Sequence, residues 1–347
     1  MGPSSHISGS DGSPNRPRTP RGGVPTGACF ANGRACVATG LILLLSGCAR
    51  PAPQPDDSRL RLVSTAPNLT EIVCALGAGD LLAGRTESCD YPPEIVPRVP
   101  VTGGFGTPYL EPLLAARPTH VLETVLADPD FARRLGALHI PVVHVPCTRL
   151  DEIPGAILQL GGLTGRAAEA QRLAGAIRDG IGAARADNAA RGQRPRVLLL
   201  FAPDTPITAG RNAFVSELLE LAGGDNVAGS LIIDYYHVSL EWVITQDPDI
   251  LLCLFETRAR DPYTLFEPQT GWSALSAVRQ RRVYTVADLS TVSRPGPRVL
   301  AGLAQLKALL ARDEARPRLG VPLPDVTAPA HSDTNAQMHS RTNELTH

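Results

Sequence analysis

Aromatic side chains make up only 4% of the 347 residues, and Lys307 is the single lysine. Nearly all positive charge is therefore arginine, and together with abundant Ala, Gly and Pro this reads as a compositional bias rather than special guanidinium chemistry. The net charge of −1 gives no support to a nucleic-acid partner, which requires a basic face. None of the seven cysteines stands in a C-x-x-C metal pattern. There is no G-x-S-x-G elbow, no H-E-x-x-H and no Walker loop, so the familiar hydrolase, metalloprotease and nucleotide-hydrolysing signatures are missing. His120, His139 and His144 lie in or beside apolar runs without ligand spacing, against a zinc or manganese carrier. What remains is enough chain for two globular domains, each with its own core.

The N-terminus carries a leader. Residues 1–36 are rich in Ser, Gly, Pro and Arg, and the apolar run from Val37 to Leu45 is too short to span a bilayer as a helix. Leu45-Ser46-Gly47-Cys48 follows and resembles the bacterial lipobox, whose Cys becomes the lipidated first residue. This predicts export, with residues 1–47 as a leader ending in the lipobox and Cys48 as the lipidation site. Residues 48–60, rich in Pro and Asp, read as a flexible polar tether. Cys74, Cys89, Cys147 and Cys253 then remain, and a disulfide in an exported chain stays open as to pairing.

Along the mature chain, apolar strand-like runs alternate with helical patterns. Strands are expected at Arg61–Ser64, Thr119–Glu123, Pro141–Val145, Arg196–Phe201, Asp249–Leu254 and Arg282–Val286, which predicts α/β lobes with parallel sheets. Pro67 and Asn68 open a helix; Asn68 and Glu71 have capping-box spacing, and Gly77 is placed to end it. Residues 61–163 are expected to form an N-terminal lobe and 195–313 a C-terminal lobe. Between them, residues 164–194 predict one long helix, capped by Thr164 and carrying a Leu173, Ile177, Ile181, Ala184 stripe. About 25 helical residues span roughly 40 Å. Gly175, Gly180 and Gly182 weaken its intrinsic propensity, so packing must hold it. Residues 314–347 are polar and read as a disordered tail.

An internal repeat supports two matched lobes. Leu110-Glu111-Pro112-Leu113-Leu114, Pro118 and Val121-Leu122 correspond to Leu240-Glu241-Trp242-Val243-Ile244, Pro248 and Leu251-Leu252 at a constant offset of 130 residues. Each copy is a short Glu-bearing helix, a proline break and a buried strand. A second echo links Glu71 and Gly77 with Glu217 and Gly223.

Ser64-Thr65-Ala66-Pro67-Asn68-Leu69-Thr70-Glu71, Asp90-Tyr91-Pro92-Pro93-Glu94, Leu160-Gly161-Gly162-Leu163-Thr164-Gly165-Arg166 and Val238-Ser239-Leu240-Glu241 stand in a specific order. With the repeat, this set resembles the periplasmic binding proteins for cobalamin, ferric siderophores and haem that serve ATP-driven (ABC) importers. The similarity runs from about Leu60 to Ala311, and Asp90-Tyr91-Pro92-Pro93 is most similar to the cobalamin binders. The resemblance implies two Rossmann-like lobes bridged by a single long rigid helix, with the ligand in the cleft between them. It implies a monomeric carrier anchored by lipid at a membrane face, with no catalytic residue and no resident cofactor. Glu111 and Glu241 are the implied contacts to the permease dimer, which works with an ATPase; solvated glutamates at helix starts are the plain alternative.

Matching to the family places Phe105, Tyr235 and Arg294 in the cleft, with Tyr91, Asp90, Tyr236, Asp288 and Ser290 close by. Phe105, among Gly103, Gly104 and Gly106, reads as a ring on a flexible glycine loop with little core to join. Ser88 and Ile207 depart from the pattern, since an aromatic is expected at each. The implied ligand is cobalamin or another metal-bearing chelate. A siderophore would use Arg294 and Arg211, and haem an axial Tyr235, Tyr236 or His237. Whether His237 or Cys89 touches ligand stays open. The competing class is a metal-cluster oxidoreductase using Cys74, Cys89 and Cys147, against which the exported leader argues; a purely structural lipoprotein is a third.

Overall fold

Two parallel sheets share one helical layer. The computed structural model describes residues 59–126, 128–189 and 192–315. The leader, Cys48, the tether to residue 58 and the tail from residue 316 lie outside them. Among the described residues the first sheet contains β1 (Leu62–Ser64), β2 (Leu82–Thr86), β3 (Val101–Gly104), β4 (Thr107–Pro108), β5 (His120–Glu123) and β6 (Val142–His144). Its order is β4-β3-β2-β1-β5-β6, parallel except for the β3–β4 hairpin. The second sheet contains β7 (Arg196–Leu200), β9 (Asp225–Asn226), β11 (Ile250–Cys253) and β12 (Val283–Thr285), all parallel in the order β12-β11-β7-β9. A separate antiparallel ribbon joins β8 (Ile207–Ala209) to β10 (Tyr235–His237).

The helices are α1 (Pro67–Ala75), α2 (Leu110–Ala115), α3 (Pro129–Ala137), α4 (Ile153–Thr164), α5 (Ala167–Ala189), α6 (Phe214–Ala222), α7 (Leu240–Gln246), α8 (Ser276–Arg279), α9 (Leu289–Ser293) and α10 (Val299–Glu314). The two-residue period of the strands sorts their side chains between cores. Val197, Leu199, Ile250 and Leu252 join Leu62 and Leu122 in a core with α1, α4, α5, α6 and α10. Leu198, Leu200, Leu251 and Cys253 point the other way, into a cluster with Val243 of α7 and Trp272. Val63 and Val121 likewise meet Leu113 of α2 and Phe131. Each sheet thus has its own outer cluster, and both contribute to the inner one.

The repeat is structural. α2 and α7 each precede a strand, with Leu113 and Val243 buried at matching positions. The correspondence extends to the backbone, because Arg117 and Asp247 both take positive φ, 47° and 36°. The second echo places a left-handed glycine after each helix: Gly77 (φ 72°) follows the α1 C-cap Leu76, and Gly223 (φ 100°) is itself the C-cap of α6.

Three local expectations are corrected. The α1 N-cap is Ala66, with no side-chain cap; Asn68 and Glu71 are buried and bond elsewhere. Thr164 caps nothing: it ends α4, its hydroxyl donating to the Leu160 carbonyl (2.7 Å), and α5 begins only after the left-handed Gly165. α5 has 23 residues, about 34 Å long. It buries Ala170, Ala174, Ile177, Ile181 and Ala184, leaving Leu173 half-buried. Finally, α10 continues through Asp313, buried against Arg282, to Glu314, so residue 314 belongs to the fold.

A cleft cavity between the two halves

Strand ends build the candidate site. The first turn of α1, which follows β1, and the loops leaving the carboxyl ends of β2, β3, β5 and β6 supply Asn68, Ser88, Phe105, Val125 and Cys147 to one wall of a cavity of about 680 Å³. The second half supplies Phe214, Asp234, Tyr235 and Arg294. Carboxyl ends of parallel strands are where open α/β sheets bind ligands, since the loops there converge on a crevice.

Phe105 is 54% exposed and Tyr235 49%. The glycines around Phe105 make a tight turn rather than a flexible loop. Gly104 pairs with Thr107, so Phe105 and Gly106 alone form the hairpin tip. Gly106 takes φ 64°, and its N–H donates to the Thr65 carbonyl (3.0 Å). The phenylalanine ring is therefore held out on a fixed tip. Tyr235 is braced edge-on by Phe201, ring centroids 5.2 Å apart. Burial, and then the charge of Asp234, push its hydroxyl above the usual tyrosine range.

Both cavity arginines are tied across the molecule. Arg294 donates Nη1 and Nη2 to Asp90 (2.5 and 3.0 Å), and Nη1 also lies 3.2 Å from Glu71 Oε1. Glu71, 3% exposed, accepts two further bonds from Arg298 (2.8 and 2.7 Å). In the reciprocal arrangement, Arg149 of the first half pairs with Glu217 of the second, which also accepts the Leu150 N–H (2.8 Å). Between these clusters, the Asn68 amide donates to the carbonyls of both Cys147 (2.8 Å) and Pro295 (3.0 Å). The repeat had paired Glu71 with Glu217, but their cross-ties were not readable from it.

The other expected site residues stand outside the lining. Tyr91 lies under the Arg298 guanidinium, 4.0 Å from ring centroid to Cζ. Asp288 caps α9 through the Ser290 N–H and, with Ser290 Oγ, accepts from Arg298 (3.0 and 2.9 Å). Partial burial raises the Asp288 carboxyl, but hydrogen bonds from Ser290 and the charge of Arg298 bring it below the usual range. Tyr236 faces away from Tyr235; burial pushes its phenol up to about 12, and its hydroxyl is buried without a hydrogen-bond partner. Arg211 donates to the Gly229 carbonyl, and His237 ends an exposed strand. Cys89 is buried between the hydroxyls of Thr70 and Thr86, whereas Cys147, bonded to the Pro295 carbonyl, lines the cavity. All four described cysteines are free. No group of three metal-ligating side chains occurs among the described residues, and no described helix is long and apolar enough to cross a membrane. Glu111 and Glu241 are exposed in the first turns of α2 and α7.

The chain is 28% identical over 275 residues to a vitamin B12-binding protein of Pectobacterium carotovorum, covering 78% of this chain and 92% of that one. It is 26% identical over 308 residues to an ABC transporter substrate-binding lipoprotein of Bacillus subtilis, covering 79% and 96%. Among solved structures, a periplasmic haem-binding protein of Roseiflexus superposes with a TM-score of 0.65 at 28% identity, covering 73% of this chain and 98% of its own. A family model for periplasmic binding proteins matches residues 62–288, from β1 to just past β12, and the chain belongs to that family of binding proteins.

Proposed function

We propose that this protein is the extracytoplasmic substrate-binding lipoprotein of an ABC importer, carrying a corrinoid, cobalamin first, from the cleft to the permease. One observation carries the ligand class. The cavity presents an exposed aromatic ring from each half, Phe105 and Tyr235, and among the described residues no histidine lines it. Flat rings at the mouth suit a large flat macrocycle, adding contact area at low entropic cost. The similarity to vitamin B12-binding proteins points the same way.

Haem is the second reading, favoured by Tyr235 in the lining and by the likeness to a haem-binding protein. A thermal-shift panel of cyanocobalamin, cobinamide, haemin and a ferric siderophore separates the two, since tight binding raises the melting temperature by mass action. A shift with haemin or the siderophore alone would overturn the corrinoid reading. In this account Glu111 and Glu241 contact the permease dimer, one per half; α5 is the rigid bridge; and Cys48 carries the lipid that holds the monomeric carrier at the membrane.

A further inference from the structure

Two guanidiniums line the cavity, and neither is free. Arg149 is paired with Glu217 and donates to the Asn212 carbonyl (3.3 Å). Arg294 is held by Asp90 and Glu71, carboxylates that differ in kind. The Glu71 side chain is 3% exposed and shared with Arg298, so it is part of the fold. Asp90 is 63% exposed, lies outside the cavity lining, and reaches Arg294 from a loop 204 residues away in sequence. Its fork is bidentate and takes up both terminal nitrogens.

The charge count is decisive. Arg294 and Arg298 face Glu71, Asp90 and Asp288, leaving one net negative charge. Asp234, the remaining charged residue in the lining, is exposed and has no ion-pair partner among the described residues. An anionic ligand seeking Arg294 must displace an intramolecular carboxylate and enter a negative field. Without Asp90 the cluster is neutral, and the Arg294 terminal nitrogens keep only the longer contacts to Glu71 (3.2 Å) and the Ser88 carbonyl (3.3 Å).

We infer that Asp90 is a specificity residue: an internal counter-anion that closes Arg294 to carboxylate and phosphate groups, so that the cavity accepts uncharged or cationic chelates and refuses polyanionic ones. The inference rests on the cavity being the ligand site, and it explains why a corrinoid would be preferred to haem or an anionic siderophore.

The test uses the purified protein, Asp90→Asn, and the Asp90→Asn/Arg294→Gln double variant. Citrate, titrated calorimetrically, probes the guanidinium independently of the natural ligand. Asp90→Asn should bind citrate at least about ten-fold more tightly than the parent, and the double variant should lose that gain. Haemin affinity relative to cyanocobalamin should also rise about ten-fold in Asp90→Asn. Citrate affinity unchanged, or unmeasurable in both proteins, overturns the proposal. A citrate gain in a protein whose parent binds no corrinoid leaves Asp90 its role and removes the corrinoid reading instead. Asp90→Ser, read the same way, decides the matter if the Asn variant does not fold.

Discussion

Phe105 and Arg149 show what a local stretch of sequence reveals and what it conceals. Phe105 stood out because an aromatic ring flanked by glycines has no core to join, and it lines the cavity at a fixed hairpin tip. Arg149 gave no local signal, because its partner Glu217 is 68 residues away and belongs to the other half. Glu71 was misread for a related reason: capping-box spacing is a local pattern, whereas its actual partners lie more than 220 residues along the chain. Under the proposed function, Phe105→Ala and Tyr235→Ala should each weaken cyanocobalamin binding by roughly ten-fold, about 1.4 kcal/mol; Phe105→Ala should leave the melting temperature of the free protein unchanged, whereas Tyr235→Ala also loses the edge contact with Phe201 and should lower it slightly. Titration calorimetry with thermal melts checks both. The hydrogen bond from Arg294 holds the Asp90 carboxyl below its usual range, with burial opposing and the Arg294 charge adding to it. A depressed folded value means that its stabilisation is present above the unfolded value, about 3.9, and is lost as pH falls through the lower folded one. The melting-temperature difference between the parent and Asp90→Asn should therefore be constant from pH 7 to about 5 and vanish only at strongly acidic pH.

Elements were legible where one physical rule governs them. From Val197 to Leu200 of β7 and throughout β11 every residue is apolar because alternate residues feed two cores, the expected pattern for a buried parallel strand. Helix boundaries were less so. Thr164 has the chemistry of a cap, but its hydroxyl bonds back along α4, and Gly165 makes the break. α10 runs a single residue, Glu314, into the stretch expected as tail, and its last turn is anchored by the buried ion pair of Asp313. Arg282 Nε and the Tyr284 hydroxyl both donate to Asp313 (2.8 Å each) and fasten α10 to β12. Asp313→Ala leaves the buried Arg282 guanidinium only its longer contact to Asp249 (3.7 Å) and should cost up to about 3 kcal/mol in denaturant melts. Gly180 of α5 is a contact point: a Cβ there would lie 2.7 Å from a Leu300 methyl. Gly180→Val should destabilise by about 1–3 kcal/mol through overpacking, although valine is the better helix former.

For the whole molecule, the repeat and the chemistry converge on one arrangement. The offset of 130 residues placed Glu111 and Glu241 on equivalent exposed helix starts, α2 and α7. In the proposed function, Ala at both positions should abolish uptake into cells while leaving ligand affinity in solution within two-fold. Lost affinity would remove them from the docking role. The reciprocal ties, Glu71 with Arg294 and Arg298, Glu217 with Arg149, and Asn68 spanning two carbonyls, hold the two halves at the base of the cleft. Nothing in either half read alone announces them. The central claim is that this cleft carries a corrinoid, and the most direct test is the dissociation constant of the purified protein for cyanocobalamin against haemin. A value of about 1 µM or tighter for cyanocobalamin, with haemin at least ten-fold weaker, is the predicted result. Tighter binding of haemin, or no measurable binding of cyanocobalamin, would contradict it.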